Sequence, residues 1–215
     1  MGEDRRRLPW PNLEKARDLG GLPTMYGRRT ALGALIRSDA PERLTSHGQA
    51  LMRDHGVRTV IDLRPHGESV VPVDGVAGQC LPLVPADFPF PIPLVDGYQR
   101  IVDDHAGAVG AVLQTIADAG PGAVLFHCHS GTGLTGLVTL LLLSIARVPA
   151  TAIQKDYLMG YRPGQIPAGA DAVVPSTLKH LDGRYGGPAG YLTHAGVTAA
   201  EVLRLPRRLL GNPEP

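Results

Sequence analysis

The chain has 215 residues, 43% of them hydrophobic, and a formal net charge of +1. That length suits one domain with a substantial core, and the balanced charge provides no bulk field for nucleic acid or a polyanion. No apolar run approaches the ~20 residues of a membrane span, and Met1 to Trp10 is basic and polar without a signal core. The expectation is therefore a cytoplasmic protein with no membrane span and no nucleic-acid partner, its oligomeric state left open.

Residues 1–11 are charged and then proline-rich, which reads as a disordered or loosely attached arm, with a single domain over residues 12–215. Ala34 to Ser38 reads as a short strand. A helix over Gly48 to His55 follows, capped by Thr45 or Ser46 and stopped by Gly56. Arg58 to Leu63 is β-rich and bounded by Gly56 and Pro65. Cys80 sits at a strand-like edge and reads as a small buried hydrophobe; two cysteines are too few for a disulfide framework, although one bridge stays open. Leu81 to Pro93 holds prolines at 82, 85, 89, 91 and 93, so an extended surface loop is expected.

From Gly97 to Ala119 the apolar positions Ile101, Val109, Val112, Leu113 and Ile116 fit one helical face, ended by Gly120-Pro121-Gly122. A buried strand runs into Cys128, and a long helix spans about Thr135 to Ala146. Thr151 is expected to cap a helix through Ile153, Tyr157 and Leu158. Pro163 to Pro175 reads as irregular. Helices over Ser176 to Arg184, Gly190 to Ala195 and Thr198 to Leu210 complete the chain. Strands alternating with helices predict an α/β fold, a mostly parallel central sheet flanked by helices on both faces.

The chemistry concentrates in Phe126-His127-Cys128-His129-Ser130-Gly131-Thr132-Gly133-Leu134-Thr135-Gly136. A cysteine at the carboxyl end of a strand, opening a loop into a helix N-terminus, faces unpaired amides and the positive end of the helix dipole. Those favour a thiolate, able to attack phosphorus, an acyl carbon or a sulfane sulfur. Gly131 and Gly133 let the backbone turn its N–H groups inward, so Ser130, Gly131, Thr132, Gly133 and Leu134 form an anion cradle. Thr135 is placed to hydrogen-bond the sulfur or ease its departure, and His129, within the cradle, suits proton transfer near neutral pH. Cys128, His127 and His129 diverge from consecutive positions and make no zinc site; no metal or cofactor is called for.

Several segments together carry a resemblance. Arg17-Asp18-Leu19-Gly20-Gly21, Ile36-Arg37-Ser38 with Leu44-Thr45, Val60-Ile61-Asp62-Leu63-Arg64 with Glu68, the Cys128 loop, Asp156-Tyr157-Leu158 and Gly190-Tyr191-Leu192 occur in one order. In that set the chain resembles the bacterial family of tyrosine and lipid phosphatases typified by mycobacterial protein tyrosine phosphatase B. The resemblance implies a cysteine-phosphatase fold, Cys128 as nucleophile, Asp87 of the proline-rich loop as general acid, and His127 supporting the loop through a ring hydrogen bond. The stretch between Tyr157 and Tyr191 is too short for large lid helices.

The family loop reads Cys-x-x-Gly-Lys-Asp-Arg-Thr-Gly, whereas this chain has Thr132, Gly133 and Leu134 at the Lys, Asp and Arg places. An arginine there would grip two phosphate oxygens with its planar fork. Arg64 and Arg37 belong to strand ends expected at the same rim and are candidate replacements, with Arg162 of Tyr161-Arg162-Pro163 a third; Asp62 and Glu68 are placed to hold Arg64. The leading expectation is a phosphatase-like, Cys128-dependent hydrolase acting on a small phosphorylated or otherwise anionic metabolite, with weak ordinary phosphatase activity. A pseudophosphatase that only binds an anionic ligand or partner stays open. So does a repurposed cysteine enzyme for sulfur or acyl transfer.

Overall fold

In a computed structural model of the chain, residues 5–65 and 73–211 are described. Glu68 lies outside them. The elements in chain order are β1 (Arg17–Asp18), β2 (Leu35–Ser38), α1 (Ser46–Asp54), β3 (Val57–Asp62), β4 (Ala77–Cys80), α2 (Leu94–Asp104), α3 (Ala106–Asp118) and β5 (Ala123–His127). Then follow α4 (Gly133–Ile145), α5 (Ala150–Leu158), α6 (Ala170–Tyr185), α7 (Pro188–His194) and α8 (Ala199–Leu210).

The strands form a five-stranded sheet in the order β1-β2-β5-β3-β4. The β2, β5, β3 and β4 neighbours run parallel, and β1 pairs antiparallel with β2. Successive side chains of a strand point to opposite faces, and the core divides accordingly. On β5, Val124 and Phe126 join the larger apolar cluster with α2 to α8, while Ala123 and Leu125 join a smaller one on the other face with Met52 of α1. Complete burial of Ile61, Leu125 and Phe126 contributes roughly 1.5–3 kcal/mol each relative to exposure. Helix α4 is buried continuously from Leu134 to Leu143, as a helix apolar all round must be when other helices enclose it. Among the described residues, no helix is long and apolar enough to cross a membrane.

The smaller face is closed by the N-terminal segment. Leu8 and Trp10 are 8% and 4% exposed and pack in its core, and the Leu8 amide donates to the Ala16 carbonyl at 2.9 Å. The loose arm expected through residue 11 is thus corrected for residues 5–11: with α1 the main helix on that face, Leu8 and Trp10 supply apolar cover that the sheet otherwise lacks.

Other differences are local. The helix expected from Gly97 to Ala119 is two helices, α2 and α3, broken at His105 (φ −124°, ψ 28°). Pro149, not Thr151, occupies the N-cap position of α5. Helix α6 begins before Pro175, because a proline near a helix start removes only the bond to the carbonyl four residues back, here Asp171 in the exposed first turn. Cys80 is exposed and unbridged, on the exposed edge strand β4, and Cys128 is buried. By contrast, Thr45 accepts from the Gly48 amide as the N-cap of α1, and Thr198 with Glu201 forms a capping box on α8.

Candidate active site

Parallel pairing brings the carboxyl ends of β2, β5 and β3 to one rim of the sheet, where ligands of open α/β sheets gather. The loop from Cys128 to Thr132 springs from β5 at that rim and enters α4. Its carbonyls are tied from outside. The His127 carbonyl accepts from the Leu63 amide at 2.9 Å and the His129 carbonyl from the Ala40 amide at 3.3 Å. Arg37 Nη2 donates to the Gly131 carbonyl at 2.7 Å, and Tyr98 Oη to the Gly133 carbonyl at 2.7 Å. The tied carbonyls have partners outside the loop, and among the described residues no amide of residues 129–135 donates a hydrogen bond. Undonated amides in a loop that runs into a helix N-terminus are the backbone pattern from which anion-binding nests are built.

Gly131 makes the bend possible. Its φ is +69°, and a Cβ there would lie 2.7 to 2.8 Å from Asp39 N and the Ser38 carbonyl, so both backbone conformation and space require glycine. Gly136 serves a different need, since a Cβ on it would meet Tyr98 Oη at 2.5 Å and displace the hydroxyl that holds Gly133.

The brace behind the loop is charged and buried. Arg37 is 2% exposed, and its Nη1 donates to Asp156 Oδ2 at 3.2 Å; Arg6 Nη1 donates to the other oxygen, Oδ1, at 2.6 Å. One carboxylate thereby holds two guanidiniums, one of which holds the loop. Burial raises the Tyr98 pKa well above the ordinary phenol value, so the hydroxyl stays a donor to Gly133. Tyr98 packs edge-on against Tyr157, whose hydroxyl shares a 2.9 Å hydrogen bond with Tyr161.

Cys128 is 4% exposed at the start of the nest. His129 and Ser130 are exposed, and Ser130 Oγ shares a 2.7 Å hydrogen bond with Thr132 Oγ1. The buried Thr135 hydroxyl has no protein partner, leaving it available to the sulfur or to a ligand. Leu134, at the arginine place, is 7% exposed and belongs to the larger apolar core.

Five candidate residues have surroundings that the sequence does not show. The ring nitrogens of His127 are buried, and Asp62 Oδ1 stands 4.0 Å from Nδ1. Burial pushes the His127 pKa down, with the Asp62 carboxylate and the adjacent Cys128 backbone opposing the shift and Arg64 reinforcing it. Arg37 is engaged by the Gly131 carbonyl and Asp156. Arg64 is held by Asp62, with Nε 3.0 Å from both carboxylate oxygens and Nη2 at 2.7 Å, and by Glu42 Oε1 at 2.5 Å; these carboxylates raise its pKa further. Arg162 is exposed and pairs with Glu14. Asp87 lies exposed beside the turn in which the Phe88 amide donates to the Pro85 carbonyl at 3.1 Å, and it makes no hydrogen bond or ion pair to the Cys128 loop. Cys128, the loop after it and Thr135 in the first turn of α4 follow one another in the chain, with Arg37 holding the loop from behind. Tyr98 and Asp156 complete the brace, although their spacing alone marked only a helix interior and a motif position.

The profile described as the tyrosine phosphatase family matches residues 8–211. A tyrosine-protein phosphatase of Nostoc commune is 29% identical over 240 residues, covering 88% of this chain and 81% of the relative. A Cupriavidus necator relative with a tyrosine-protein phosphatase designation is 27% identical over 176 residues, covering 73% of this chain; the chain spans 63% of that relative's length. Among solved structures, P. aeruginosa TpbA is similar at 22% identity and a TM-score of 0.44, covering 66% of this chain and 79% of its own.

Proposed function

The chain belongs to the tyrosine phosphatase family, and from that premise we propose that it is a divergent Cys128-dependent hydrolase for a small phosphorylated or otherwise anionic ligand, with weak ordinary phosphatase activity. The supporting observation is the nest of undonated amides at residues 129–135 beside buried Cys128, combined with Leu134 in the core at the arginine place. The resemblance to the mycobacterial type of tyrosine and lipid phosphatase is part of the same reading.

In this mechanism the Cys128 thiolate attacks phosphorus as the P–O bond to the leaving group breaks, giving a thiophosphoryl enzyme. Water then attacks phosphorus, releasing phosphate and restoring the thiolate, whose departure the Thr135 hydroxyl eases by donating a hydrogen bond. The backbone amides receive the developing charge on the phosphoryl oxygens. A guanidinium fork would strengthen that hold in the transition state. Its absence costs on the order of a thousandfold in rate, equivalent to about 4 kcal/mol.

The test is turnover of para-nitrophenyl phosphate by the full chain, its Cys128→Ser variant and its Leu134→Arg variant, with intact-mass detection of a Cys128 adduct. Weak wild-type turnover, abolished by Cys128→Ser and raised at least about tenfold by Leu134→Arg, is expected. Rapid wild-type turnover that depends on Cys128 would overturn the divergent reading. The enclosure of Leu134 among apolar side chains favours a second reading, a pseudophosphatase that binds an anion without turnover. Phosphate binding with no activity and no adduct in either chain would select it. An adduct carrying sulfur or an acyl group would select a repurposed cysteine enzyme instead.

A further inference from the structure

Next to the cradle, the same rim of the sheet carries a cleft of about 440 Å³ whose lining is unusually basic. Arg7, Lys15, Arg17, Arg37 and Arg162 line it against one carboxylate, Glu14, which Arg162 already engages. Arg7 and Lys15 form no ion pair among the described residues. Lys15 is half-buried, and the carboxylate nearest its backbone, Asp39, accepts from the amides of Glu14 and Lys15. Burial lowers the Lys15 pKa from the ordinary lysine value; Asp39 and Glu14 oppose that shift, whereas Arg162 and Arg37 reinforce it. Cations crowded in a partly desolvated cleft repel one another, and an anion placed among them relieves that repulsion.

Cleft and cradle share a wall. Arg37 lines the cleft while its Nη2 holds the Gly131 carbonyl. Gly160, also in the lining, has the Thr132 methyl 3.5 Å from where its Cβ would stand. The loop itself lacks cationic side chains at the Lys and Arg places, so the positive charge at this rim stands beside the cradle, not in it.

We infer that this cleft is a second phosphoryl-binding subsite, so that the ligand carries two phosphoryl groups, one received by the amides of residues 129–135 and the other by Arg7, Lys15 and Arg162. The inference rests on the anion-binding reading of the cradle, and the experiment separates the two. Inorganic phosphate titrated into the isotopically labelled full chain is expected to shift two groups of amides, residues 129–135 and residues 14–17 with 160–162. Lys15→Glu should remove the second group of shifts and spare the first; Arg7→Glu, at an exposed position, repeats the test if Lys15→Glu folds poorly. Fructose 1,6-bisphosphate should bind at least about tenfold more tightly than fructose 6-phosphate, because its second group docks intramolecularly, and either variant should abolish that advantage. Shifts confined to residues 129–135 would overturn the cleft and leave the cradle standing. Shifts confined to the cleft would overturn the cradle, and with it the two-group ligand. Absence of both groups of shifts would overturn both sites, and equal affinity for the two sugars would overturn the two-group ligand.

Discussion

The proposed cradle and cleft lie side by side and would hold anions by opposite means. The cradle is made of backbone: Leu63, Ala40, Arg37 and Tyr98 tie its carbonyls, and its side chains bring no fixed charge. The cleft is made of long cationic side chains, and Arg162 and Glu14 on its rim are each more than half exposed. Backbone geometry must be set by the whole fold before any ligand arrives, whereas charge on flexible stems can be added or removed with little effect on folding. The two regions should therefore differ sharply in how their loss is felt.

The largest effect is expected at Asp156. Asp156→Ala leaves buried Arg37, and half-buried Arg6, without this carboxylate, and breaking a buried pair in this way costs about 3–5 kcal/mol; urea denaturation of the variant and wild type measures it. A cost below about 1 kcal/mol would mean that the brace does not set the loop, and the contrast with the cleft would collapse.

A pH effect of intermediate size tests the cradle's floor. The native His127 pKa lies below its unfolded value because burial disfavours the charged ring, so the unfolded chain binds the extra proton. Stability is then full above the unfolded histidine pKa of about 6.5 and falls as pH drops from there toward the native value, with a slope approaching about 1.4 kcal/mol per pH unit. His127→Phe should flatten this segment of a denaturation-against-pH profile; an unchanged slope would assign the dependence to other groups. The smallest effect belongs to the cleft. Arg162→Ala breaks an exposed ion pair and should change stability by about 0–1 kcal/mol, with the melting temperature nearly unmoved, while phosphate-induced shifts at residues 160–162 weaken. A large loss of stability would show that the cleft residues are structural after all.

Local patterns revealed what local forces decide. The strand into Cys128, the glycine-permitted bend and the start of α4 follow from adjacent residues, as does the Thr45 cap. What escaped depends on distant partners. Arg37 lies in a short strand and reads like any rim arginine, yet its partners are Gly131 and Asp156, 94 and 119 positions away. Tyr98 reads as a core aromatic on α2, and only the packing of α2 against the loop gives its hydroxyl Gly133 to hold. Trp10 was hidden by its neighbours, since charge and proline around it suggest a loose arm, while an uncovered sheet face supplies the reason to bury it. The break at His105 divides an apolar pattern that stays helical on either side, so periodicity alone ran through it.

The Arg6, Arg37 and Asp156 brace also has a consequence in time. Asp156 is joined to residues 150 and 119 positions earlier in the chain, and such long loops close late because their entropy must be overcome first. A nascent chain that has emerged through α4 already contains the whole Cys128 loop. It does not yet contain the carboxylate that fixes Arg37 against Gly131. Synthesis from the N-terminus therefore delivers the Cys128 sulfur before the scaffold that shapes its surroundings, and the loop is fully braced only after α5 has docked.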